Sequence, residues 1–183
     1  ISFTSFEKDP FHLNDVELVY NVNNHNDSTK LTKEDVLLSA RHLNAILWIR
    51  NNSIYKILKG SFNLQHDVDV INDSVLSISN NNSAGSYVNL AEVHSNVIHY
   101  NVITKSESSL FNDIGFNTAT EGQVQYLPSG RVVIENQNSH EIIVVLADSV
   151  IYRGGIEYSL DHSYSEYLSW APAFDYNPFD KLN

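Results

Sequence analysis

From Ser53 to about residue 160 the chain is a succession of short runs rich in Val, Ile, Leu and Tyr, each stopped by Asn, Asp, Ser or Gly. The runs are "SIYKILKGSFNL", "DVDVI", "SVLSIS", "SYVNLAEV", "NVIHYNVIT", "GQVQYL", "RVVIEN", "EIIVVLA", "SVIYRG" and "IEYSLD". Their close spacing leaves no room for helical crossovers, so this part reads as an all-β sandwich or barrel and not as alternating β-α units. Ile142 to Ala147 is apolar at every position, the texture of a central strand covered on both faces.

Two features precede this region. "DVELVYNVN" alternates, placing Val16, Leu18, Tyr20 and Val22 on one face of a half-buried strand and Asp15, Glu17 and Asn21 on the other. In "TKEDVLLSARHLNAILWIRNN", Thr32 suits a helix cap and Glu34 and Asp35 a first turn. Val36, Ala40, Leu43 and Leu47 recur there at helical spacing, which predicts one amphipathic helix packed on the sheet. The expected organisation is a single domain, 1–183, with a strand and helix over 15–52, a β-barrel or sandwich over 53–160 and an aromatic, Pro-containing tail over 161–183. No internal repeat stands out by eye.

With 42% apolar residues in 183, the chain can build its own core. Its 22 acidic residues against 11 basic ones give a net charge of -11, and Lys and Arg form no cluster. Nucleic acid and anionic membrane surfaces both demand a positive patch, so neither is an expected partner. No apolar run is long enough to cross a bilayer as a helix. The absence of Cys rules out disulfides and thiolate metal sites, and the absence of Met, even at position 1, fits a chain whose native N-terminus has been removed. Its Asn- and Ser-rich acidic character favours an extracellular, periplasmic or virion setting. The triplets at Asn26, Asn51, Asn72 and Asn81 fit the glycosylation pattern, as chance alone allows in such a composition.

In "EGQVQYLPSGRVVIENQNSHEIIVVLA", Gly122 is followed after five residues by Pro128 and then by Gly130, and two strands flank an Asn-rich turn. This spacing resembles the second motif of the cupin superfamily, over about Ser95 to Ala147. The resemblance implies a jelly-roll or cupin-like barrel and a metal-binding His, but Val133 stands at the His position. The first cupin motif is not met. The nearest alternative metal set is Glu92, His94 and His99, of which Glu92 and His94, two apart, would share a strand face. Asp67, Asp69 and Asp73 are a Ca²⁺ candidate of hard oxygen donors, without the Gly turn of an EF-hand. The bland reading of both sets is solvated strand edges. No metal and no cofactor is favoured, a divalent metal being the alternative.

No catalytic residue can be picked out: no Ser sits in a nucleophile elbow and no phosphate loop is present. Tyr158, Tyr164, Tyr167 and Trp170 crowd one short stretch, and large rings with polar tips suit a protein or carbohydrate ligand. The functional expectation is a non-enzymatic binding or assembly module, possible as a homo-oligomer, that acts through its β surface and aromatic C-terminal segment. The alternative is a metal-dependent cupin-type enzyme on a small polar substrate.

Overall fold

The polar residues between the apolar runs turn the chain back onto its predecessor each time, so that strands consecutive in sequence are neighbours in space. A computed structural model describes residues 9–23, 26–82, 94–119 and 121–155. The first sheet is β1 (Leu13–Leu18), β2 (Val36–Ala40), β3 (Ala45–Arg50) and β4 (Ser53–Leu58). The second is β5 (Val68–Val70), β6 (Val75–Asn80), β7 (Asn96–Asn101) and β8 (Glu107–Leu110). The third is β9 (Val124–Tyr126), β10 (Arg131–Asn136), β11 (Glu141–Leu146) and β12 (Ser149–Gly155). All three are antiparallel meanders in chain order.

The sheets stack face to face. Leu37, Ile46, Trp48 and Leu58 of the first pack on Val68, Leu76, Ile78, Ile98 and Tyr100 of the second. Val97 of the second packs on Val124, Val132, Ile134, Ile143 and Val145 of the third. Their first strands are neighbours: β5 is bonded from β1, and β9 from the residue that leads into β5. Four-stranded meanders stacked around their first strands are the blades of a β-propeller.

This arrangement corrects several expectations. A jelly roll pairs strands distant in sequence through Greek-key connections, whereas every pairing here is between consecutive strands of three separate sheets. The predicted helix is absent: its residues form β2, a 3₁₀ turn over Arg41–Leu43 and β3, with Asn44 in the left-handed conformation at φ 47°. Both faces of this hairpin carry apolar side chains, Leu37, Ile46 and Trp48 towards the second sheet and Val36, Leu38 and Ile49 on the other face, and an apolar run without alternation fits a helical stripe equally well. β1 stops at Leu18, and Val22 turns into the core instead of following Val16 outward.

A repeat is present after all. Asp15-Val16-Glu17-Leu18, Asp67-Val68-Asp69-Val70 and Gln123-Val124-Gln125-Tyr126 hold the same place in successive blades. Phe62-Asn63 and Phe116-Asn117 lead into the last two, and each Asn backbone N–H donates to the Asn side chain that ends the second strand of its blade, Asn80 at 2.7 Å and Asn136 at 2.8 Å. Val68 and Val124 are buried against the preceding blade. Val16, their counterpart, is 59% exposed. Cross-strand register extends this face of blade 1 into two rows, Val16-Leu38-Leu47-Ile57 and Leu18-Val36-Ile49-Ile54. They match the rows of blade 3 that blade 2 covers, Val124-Ile134-Ile143 and Tyr126-Val132-Val145.

Between β1 and β2 the chain makes an excursion fastened by a buried ion pair. Arg50 donates from Nε to Asp35 Oδ1 at 2.8 Å and from Nη2 to Oδ2 at 2.7 Å, and its guanidinium lies over the rings of Trp48 and Tyr55. Burial pushes the Asp35 carboxyl up, but the bonds from Arg50 and Thr32 outweigh it and hold the group below the usual range. Asp35→Ala leaves the cation unpaired and is expected to lower unfolding free energy by about 3–5 kcal/mol in urea titrations. Lys30→Ala, which breaks the more exposed pair with Asp73, is expected to cost under about 1 kcal/mol. Equal effects would mean that the Asp35 pair fastens nothing.

Candidate functional site: the two ends of the inner strands

β1, β5 and β9 are edge strands, whose backbone N–H groups have no sheet partner on one side. Side chains of the preceding blade supply the acceptors. Asp15 Oδ2 accepts from the Val68 N–H at 3.0 Å, Glu17 Oε1 from Val70 at 3.4 Å, and Asp67 Oδ2 from Val124 at 3.0 Å. Period-two alternation puts these carboxylates on one face, so the stitching concentrates Asp15, Glu17, Asp67 and Asp69 in a small volume. Burial pushes all four carboxyls up, helped at Glu17, Asp67 and Asp69 by their acidic neighbours. Asp69, whose buried Oδ2 finds no hydrogen-bond partner, reaches about 7.

At the end where these strands finish lies a pocket of about 270 Å³ lined by Glu17, Tyr20, Asp69, Ile71, Gln125 and Tyr126, among others. The Tyr126 hydroxyl accepts from Ser77 Oγ at 3.0 Å, lies 2.9 Å from His99 Nε2, and is pushed up to about 12 by burial. This end carries acid and hydroxyl groups.

The opposite end has the other sign. The 3₁₀ turn between β2 and β3 lifts Arg41 over the start of the inner strands, and Nη2 donates to the Ala119 carbonyl of blade 3 at 3.1 Å. Its Nε is buried with no partner, and among the described residues no carboxylate pairs with it. Burial lowers the guanidinium's proton affinity. His66, just before β5, is pushed down to about 4 by burial and by the nearby Arg41 and His12, so its imidazole is neutral at pH 7. Also at this end, His12 Nδ1 lies 2.5 Å from Asp9 Oδ2, and His42 Nδ1 donates to the Asp9 carbonyl at 2.8 Å.

The structure does not gather the residues singled out from sequence. Asp67 and Asp69 lie on the inner-strand face, but Asp73 sits in the β5–β6 turn, bonded to Lys30 at 2.9 Å. His94 is exposed ahead of β7, His99 is half-buried against Tyr126, and Glu92 lies outside the described residues. Tyr158, Tyr164, Tyr167, Trp170 and the whole tail also lie outside them. Val133 is a strand residue paired with Gln125 and Val144. Arg41 and His66 escaped notice because each is isolated in sequence. The signal that marks them is positional: His66 directly precedes the repeated Asp-Val step, and Arg41 begins the β2–β3 turn.

The raised carboxyls give a pH dependence of definite sign. Asp69 binds its proton more tightly folded than unfolded, so stability is lost as pH rises from about 4 through about 7. Asp69→Asn is expected to raise unfolding free energy at pH 7.5 by about 2–4 kcal/mol and to change it little at pH 4. A variant no more stable than the parent at pH 7.5 would contradict this.

Comparison with known proteins agrees with the blade architecture. The chain resembles the WD40 β-propeller domain of Doa1 at 12% identity and a TM-score of 0.51, over 79% of this chain and 40% of that one. It thus spans about two-fifths of the length of the propeller it matches. The comparison with curated proteins finds no match. Residues 2–152 match the family described as arylsulfotransferase (ASST). These findings overturn the cupin resemblance: Gly122, Pro128 and Gly130 mark the entry into β9 and the β9–β10 turn of a blade, and short Gly/Pro spacings recur in any chain of hairpins. The family match covers most of the sequence, and the chain belongs to the arylsulfotransferase family.

Proposed function

We propose that this chain supplies blades of an arylsulfotransferase-type propeller and that the Arg41–His66 end of its inner strands binds the sulfate group of an aryl ester. The reading rests on one observation above all: a partly buried guanidinium with an unpartnered Nε–H, reaching from blade 1 to blade 3 in a strongly acidic protein. A desolvated cation with an open donor favours an anion, and the planar fork of Arg suits sulfate oxygens. His66 beside it is neutral at pH 7 and so offers a ring nitrogen to accept a hydrogen bond from an incoming phenol, orienting its oxygen as the sulfuryl group passes to it, the phenol proton goes to solvent and the first phenolate leaves. Membership of this family is compatible with the extracellular or periplasmic setting expected from composition. No helix among the described residues is long and apolar enough to cross a membrane.

The test is titration of the chain with 4-nitrophenyl sulfate, followed by transfer to a phenol. Arg41→Gln is expected to weaken binding about tenfold or more, the loss of a charge-assisted hydrogen bond. His66→Gln should leave binding nearly intact and reduce transfer. Undiminished binding by Arg41→Gln would sink the assignment.

A second reading, assembly, is favoured by the exposed outer residues of the blade 1 rows, Val16, Leu18, Ile54 and Ile57. Those rows are the counterpart of faces that blades 2 and 3 bury, so they suit a further blade of the same kind, which in the isolated chain a second copy would supply. Sedimentation velocity is expected to show a dimer that Ile54→Glu converts to a monomer. A parent chain that is monomeric at all concentrations would refute it.

A further inference from the structure

We infer that Asp9, His12 and His42 form a binding site for one divalent transition-metal ion of the zinc type. The inference does not rest on the sulfate reading. One potential ligand atom from each residue lies within 4.8 Å of the other two, and the His12 and His42 rings stack at 4.6 Å. The backbone fixes the frame independently of the side chains: the Arg41 N–H donates to the His12 carbonyl at 3.1 Å and the His42 N–H to the Phe11 carbonyl at 3.2 Å. The carboxylate is held too, since Asp9 Oδ1 accepts from the His12 N–H at 2.9 Å. That leaves Oδ2, 2.5 Å from His12 Nδ1.

A metal ion would take the place of that hydrogen bond, with Asp9 Oδ2, a nitrogen of His12 and a nitrogen of His42 as ligands and solvent completing the shell. Ligands about 2.0–2.2 Å from zinc stand roughly 3.3 Å apart in a tetrahedron, so loading needs rotations of about an ångström. Both Asp9 and His12 have side chains with that freedom, at 55% and 41% exposure. Two imidazoles and one carboxylate select zinc, nickel or copper over calcium and magnesium, which take oxygen. The ion would tie residues 9–12 to the turn that carries Arg41. None of the three residues is in the Glu92, His94 and His99 set considered from sequence.

The intact chain, dialysed against EDTA and then into metal-free buffer, is titrated with Zn²⁺ by calorimetry. One equivalent is expected to bind and to raise Tm, as any ligand that binds only the folded state must. Asp9→Asn, His12→Gln and His42→Gln should each weaken binding at least roughly tenfold. His94→Gln, His99→Gln and His66→Gln should leave it unchanged, and Ca²⁺ should not compete. If one His variant fails to fold, the exposed Asp9→Asn still decides. Absence of stoichiometric binding, or binding that survives all three substitutions, or that is lost instead with His94 or His99, overturns the site.

Discussion

The hydrogen bond from an inner-strand N–H to a carboxylate of the preceding blade is the contact on which the rest of the architecture depends. A blade's first strand is an edge, and its backbone donors need partners. No neighbouring strand supplies them, because blades pack face to face rather than edge to edge. Asp15, Glu17 and Asp67 do so, fixing the rotation and height of each blade against the next while the aliphatic faces supply the cohesion. Dispersion between flat apolar faces tolerates sliding, whereas a carboxylate aimed at one N–H does not.

The same device has an electrostatic cost that shapes the molecule. Acceptors aimed inward gather charge in a place poorly reached by water, which is why Asp67 and Asp69 hold their protons so firmly. The two ends of the inner strands therefore differ in chemistry. Where the strands finish, Glu17, Asp69 and Tyr126 line a pocket unfavourable to anions. Where they begin, Arg41 brings a guanidinium that pairs with no carboxylate among the described residues, beside the neutral His66.

Stacking also explains why blade 1 looks unfinished. Each blade offers one apolar face backward and one forward, a quasi-one-dimensional arrangement in which every interface repeats the last. The backward faces of blades 2 and 3 are satisfied by their predecessors, and on blade 1 the outer residues of the equivalent rows, Val16, Leu18, Ile54 and Ile57, meet solvent. Among the described residues the chain displays three repeats of this unit and their spacing.

The sequence by itself determined the strands and their turns: "DVDVI", "RVVIEN" and "EIIVVLA" became β5, β10 and β11, since β-branched runs bounded by Asn and Gly have few other outcomes. It determined the all-β class and the acidic surface as well. It did not determine how hairpins group into sheets, because local pairing is the same in a jelly roll and in a blade and only long-range packing separates them. Apolar residues on both faces erased the alternation that would have distinguished β2 and β3 from a helix. The repeat stayed hidden because few positions per blade carry a specific chemical duty, while the remainder need only be apolar. The site was decided by tertiary structure alone: Arg41, His66, Asp9, His12 and His42 come from separate segments and acquire their meaning where blade loops converge. Proximity between distant segments leaves no mark in sequence spacing, and the clusters that spacing did suggest were divided between a turn, a strand face and solvent.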